Sequence, residues 1–138
     1  MTLKVCVIEP VGSHGGMDYY DFGLCDGLSI SGVDVVLHTC HSVTKNSNIN
    51  FEVRDTYKGI YDGYSKIKKG ILFIRGSIIS LLSAVYEGRK IVHFHFFNIG
   101  ILSFFNIILA KCLLRKIVIT AHDVESFVSD IEAPFLSR

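Results

Sequence analysis

Apolar residues along this chain fall into two patterns that alternate. Short continuous runs, Lys4 to Glu9 (K-V-C-V-I-E), Val33 to Cys40, Lys90 to Phe97 and Lys116 to His122, have the length and β-branched character of strands covered on both faces. Between them lie longer segments with helical spacing. Asp18 is placed to cap a helix over Tyr19 to Ser31, with Asp21 adding negative charge to its first turn and Gly32 ending it. From Lys66 to Glu87, Ile71, Ile74, Ile78, Leu81, Leu82 and Val85 recur as one apolar face, and Gly88 closes the helix. Ile99 to Leu114 reads as a third helix. His41 to Tyr64 is polar and predicts a loop with one short strand around Ile49 to Arg54; the tail, Asp123 to Arg138, reads as a loop opening into a helix. Strand–helix alternation with short connections predicts an α/β fold, a doubly wound parallel sheet.

Composition narrows the function classes. The 138 residues suit one domain. They are 49% apolar and 20% charged, with a mean hydropathy of +0.41, which excludes a disordered chain. A net charge of +1 supplies no field for a nucleic-acid duplex, so no nucleic-acid partner is expected. The apolar surplus instead calls for a covering surface: a second domain, a subunit or a membrane. Cys6, Cys25, Cys40 and Cys112 form no C-x-x-C pair and read as small hydrophobes in a reducing, cytoplasmic compartment. The first apolar run ends at Glu9-Pro10, too soon for a signal peptide. Ile91 to Ala110 lacks Lys, Arg, Asp and Glu and has the length of a membrane span, but His93, His95, Asn98, Gly100 and Asn106 divide it into a strand and a helix.

Ligands of open parallel sheets bind beyond the carboxyl ends of the strands. There the chain places the turn Gly12-Ser13-His14-Gly15-Gly16, then His38 and His41, His93 and His95, and His122-Asp123, so all six histidines are expected near one rim. Paired glycines let backbone N–H groups approach an anion. A dinucleotide fingerprint and a Walker loop are both absent, which removes NAD and ATP as cofactors. His93-x-His95 with His122 or Asp123 leaves a metal hydrolase as a minor alternative.

Four segments resemble the N-terminal half of GT-B glycosyltransferases, most nearly the family-four retaining enzymes of bacterial polysaccharide and glycolipid synthesis. They are Gly15-Gly16-Met17-Asp18-Tyr19-Tyr20-Asp21-Phe22, Gly32-Val33-Asp34-Val35, Ile91-Val92-His93-Phe94-His95, and Val118 to Phe127 (V-I-T-A-H-D-V-E-S-F). The resemblance runs over essentially the whole chain in the correct order. It implies a Rossmann-like acceptor-side domain whose partner, a C-terminal donor-binding domain, is absent from these 138 residues. The substrates implied are a nucleotide-sugar donor and a saccharide or lipid-linked acceptor, with no cofactor and no metal. By carry-over, Gly15 and Gly16 approach the donor diphosphate and His122 stands beside the donor sugar as the catalytic candidate. His95 and Asp123 line the cleft. The alternative is a non-catalytic membrane- or partner-binding subunit of a split transferase. Lys66, Lys68, Lys69 and Arg75, at the start of a helix where cations oppose the dipole, add the expectation of a peripheral contact with the inner face of a membrane.

Overall fold

The computed structural model describes residues 2–13, 18–40, 49–96 and 100–121. Eight elements follow in the order β1 (Lys4–Glu9), α1 (Asp18–Ile30), β2 (Asp34–Thr39), β3 (Glu52–Arg54), α2 (Lys66–Tyr86), β4 (Ile91–Phe96), α3 (Ile101–Cys112) and β5 (Lys116–Ala121). The five strands form one parallel sheet ordered β3-β2-β1-β4-β5. This is the Rossmann-like α/β architecture expected. Several boundaries shift by a residue or more: α1 opens at Asp18 itself, β3 is confined to three residues, and α3 is shorter than its apolar run. The predicted tail helix lies outside the described residues.

Strand alternation builds two cores. Val5, Val7, Val35 and Leu37 point to one face, where Phe22, Cys25 and Leu28 of α1 cover them. Cys6, Ile8, Val36, Val92 and Phe94 point to the other, against Leu81 and Ala84 of α2 and Ala110 of α3. Gly32 and Gly88, with φ of 85° and 69°, take the left-handed conformation that ends α1 and α2.

Helix α2 departs from the pattern in one respect. Its buried face is Gly76, Ser77, Ser80, Leu81 and Ala84, whereas Ile71, Ile74, Ile78, Leu82 and Val85 are exposed. Periodicity located the helix, and of the residues it picked out Leu81 alone faces the sheet. Small residues allow α2 to sit close on the fully buried Tyr57: a Cβ added at Gly76 would lie 2.6 Å from the Tyr57 ring. The Tyr57 hydroxyl is within 3.3 Å of both the Ser77 and Ser80 hydroxyls, so the contact is polar as well as tight.

At the amino edge of the sheet, buried Arg89 ties three elements together. Its guanidinium donates to the Asp34 carboxylate at 2.9 Å, to the carbonyls of Val5 and Asp34, and through Nε to Glu87 at 2.8 Å. Arg54 reaches Glu87 from the far side. These charges anchor the edge opposite the candidate site.

Candidate functional site

Strands are laid down from β1 outward to β3, and the chain then returns to place β4 on the other side of β1. The element after β1 packs on one face and the element after β4 on the other, so the chain parts between their carboxyl ends. That is where an open parallel sheet forms its binding crevice. A crevice of about 390 Å³ lies there. Pro10 and Val11 line it after β1, His95 and Phe96 at the end of β4, and Ile101 and Leu102 at the start of α3; Tyr61 and Phe73 close its side. Most of these surfaces are apolar.

The polar groups converge behind it. The Asp21 carboxylate, in the first turn of α1, hydrogen-bonds His95 Nδ1; both side chains are buried. The Tyr20 ring packs at 5.6 Å from the His95 ring and the His93 ring at 4.6 Å. His93 and His95 share a strand face, as their spacing predicts, and His93 Nε2 lies 2.9 Å from the Thr120 hydroxyl on β5. Burial, and then the neighbouring His95, hold His93 down at about 4, so its imidazole is neutral at pH 7.

Glu9 ends β1, fully buried, and its two carboxylate oxygens accept the N–H groups of Val11 at 2.7 Å and Gly12 at 2.5 Å. Gly12, at φ 62°, makes the turn possible. Burial, and next the charge on Asp21, push Glu9 up to about 8, although its backbone bonds pull the other way. The opening of the glycine turn is therefore satisfied from within. Asp18 and Asp21 add two acids to the positive end of α1. Among the described residues, this corner therefore sets a buried, readily protonated carboxyl beside two further acids.

Of the residues singled out from sequence, His95 is in the crevice. Gly15, Gly16, His122 and Asp123 lie outside the described residues, as do His14 and His41. His38 stands next to last in β2, near the carboxyl rim as expected, but outside the His93–His95 cluster. Pleating turns His38 to the α2 face, opposite His93 and His95, where its Nδ1 lies 2.6 Å from the Thr56 hydroxyl. Glu9 and Asp21 were missed as site residues. A carboxylate closing an otherwise apolar buried run was the available signal for Glu9; Asp21 carried none beyond its place in a first helical turn. Among the described residues no group of three His, Cys, Asp or Glu is arranged to hold a metal.

No protein-family model matches the chain, and no curated protein matches it. Among solved structures it is similar to a UDP-galactose 4-epimerase, at 16% identity and a TM-score of 0.38, over 70% of this chain and 38% of that one. The match thus spans well under half of that enzyme's length, and a likeness this distant assigns no activity.

Proposed function

We propose that this chain is the acceptor-side domain of a glycosyltransferase that uses a nucleotide-sugar donor. The observation that carries the reading is the crevice between β1 and β4, apolar along its walls and closed at one corner by His95 on Asp21. An apolar wall suits the non-polar face or the lipid portion of an acceptor. Behind the wall, the buried Asp21–His95 bond ties α1 to β4 and so holds the two sides of the crevice in place for an acceptor. The four sequence segments that resemble GT-B enzymes supply the reaction class. In this reading His122 stands beside the donor sugar, Gly15 and Gly16 approach its diphosphate, and Asp123 lines the cleft. The nucleotide base and ribose belong to a second domain, so the 138 residues alone bind donor weakly and do not turn over.

Amide chemical-shift titration tests this with two probes, an alkyl glucoside and UDP-glucose. The glucoside is expected to shift residues around Tyr61, His95 and Ile101, and UDP-glucose to shift the chain only weakly. Silence of the crevice toward the glucoside, or sustained transfer by the purified chain alone, overturns the proposal.

A further inference from the structure

We infer that the outer face of α2 and α3 is a docking surface for an anionic lipid bilayer. Along α2, Ile67, Ile71, Ile74, Ile78, Leu82 and Val85 form one stripe at helical spacing, all exposed, with Ile67 at 78% and Ile71 at 61%. Helix α3 packs beside α2 on the same face of the sheet and adds exposed Ile101, Phe104 and Ile108. An apolar surface of this extent calls for a covering partner.

Charge identifies the partner. Between Lys66 and Tyr86 stand Lys66, Lys68, Lys69 and Arg75 and no Asp or Glu, while α3 carries Lys111 alone. At about 100° per residue, Lys68 and Arg75 fall on the margin of the isoleucine stripe. Lys68 lies 3.3 Å over the centre of the exposed Tyr64 ring, so a cation and an aromatic ring sit together where the stripe begins. Positive charge continues off the helix at Lys58, which shares with Arg54, Asp55 and Arg75 a depression of about 360 Å³ on the flank of α2. Isoleucines flanked by cations suit acyl chains beneath anionic headgroups. A second copy of α2 would meet them with like charge.

The helix lies on the bilayer rather than crossing it. Among the described residues α2 is the helix long and apolar enough to span a membrane. Its opposite side, however, is committed to the sheet through Gly76, Ser77, Ser80, Leu81 and Ala84. The inference stands on this surface alone, whatever reaction the crevice serves. One consequence does rest on the transferase reading: Ile101 of α3 belongs to both the exposed docking face and the crevice lining, so docking brings the crevice mouth to a lipid-linked acceptor.

Vesicle flotation of the full chain, with no sugar present, tests the surface separately from the crevice. Recovery is expected with phosphatidylcholine vesicles carrying about 30% phosphatidylglycerol and not with phosphatidylcholine alone, and it falls as salt is raised. The triple change Lys66→Gln, Lys68→Gln, Lys69→Gln is expected to weaken binding by on the order of tenfold or more. Ile67→Ser with Ile71→Ser weakens it similarly; both sites are solvent-exposed, and unchanged thermal melting shows that folding is intact. Equal recovery with the two vesicle types, or none with either, overturns the inference. So does a dimer that Ile67→Ser and Ile71→Ser dissociate without changing flotation, which gives the face to a second copy.

Discussion

Asp21 and His95, 74 residues apart in sequence, meet through a buried carboxylate–imidazole hydrogen bond that spans the parting between β1 and β4. One is held by the first turn of the helix that leaves β1, the other by the penultimate position of β4. The pair therefore fixes the two sides of the crevice relative to each other, and its geometry depends on both elements being in register. Each side chain excludes water from the other, which strengthens the bond and raises the cost of losing either partner.

Removing one partner is expected to destabilise the fold strongly. Asp21→Leu and His95→Leu should each cost about 1–3 kcal/mol or more in urea denaturation, because a buried polar group is left without its mate. The double variant should cost less than the sum, with a coupling of about 1–3 kcal/mol. Strict additivity would show that the two side chains do not act as a pair.

The fold was legible because each level of the sequence agreed. β-branched runs marked the strands, and Gly32 and Gly88 stood where left-handed backbone was needed. The inward face of α2 was not legible, since periodicity reports which residues share a face and not which face is buried. Ser77, Ser80 and Gly76 are chosen by the close approach of Tyr57, a loop residue whose position no local pattern reveals. The site was legible only in part, for a similar reason. His95 sits at a strand end, where function is sought first, but Asp21 becomes its partner only through the meeting of α1 and β4. Glu9 looked like the polar end of a strand, and its burial follows from Val11 and Gly12 folding back over its carboxylate.

Gly76 and Gly70 occupy the same helix and should respond oppositely to alanine. A methyl at Gly76 meets the Tyr57 ring at 2.6 Å, inside contact distance, and Tyr57 is too buried to move aside. Gly76→Ala should cost about 1–3 kcal/mol or more. At Gly70 nothing lies within 4 Å of the added methyl, so Gly70→Ala should gain up to about 1 kcal/mol from helix propensity. Thermal melting separates the two; a neutral Gly76→Ala would mean that α2 does not rest on Tyr57.

One thiol per chain should react quickly with a disulfide reagent. Cys6, Cys25 and Cys40 are buried, whereas Cys112 is exposed at the end of α3. Burial pushes the Cys6 thiol up to about 12 and Cys40 up to about 11, and raises Cys25 as well, so their thiolates are scarce at neutral pH. Cys112→Ser should abolish the fast phase. Two fast thiols in the native protein would show that one of Cys6, Cys25 and Cys40 is not enclosed by the packing described.

Stability should peak near pH 6.5, with a different group responsible on each side. The native state keeps a proton on Glu9 up to about pH 8, whereas the unfolded chain releases it near 4.5. Between those values the native state binds more protons, so stability falls as pH rises, by at most about 1.4 kcal/mol per pH unit. His38 and His93 act in the opposite direction. Both are held down at about 4 by burial, next by Arg54 for His38 and by His95 for His93, against 6.5 when unfolded. Below 6.5 the unfolded chain takes up protons that the native imidazoles refuse, and stability falls as pH falls. Two imidazoles outweigh one carboxyl there, while above 6.5 Glu9 acts alone. Glu87, held at about 2 by Arg54, Arg89 and Ser83 against its own desolvation, adds a further loss as pH drops from 4.5. Urea midpoints measured from about pH 4 to about pH 9 should trace this asymmetric dome. Glu9→Gln should flatten the alkaline limb and leave the acid limb in place; His93→Gln should shrink the acid limb alone. An alkaline limb that survives Glu9→Gln would show that another group, and not the carboxylate behind the crevice, holds the proton.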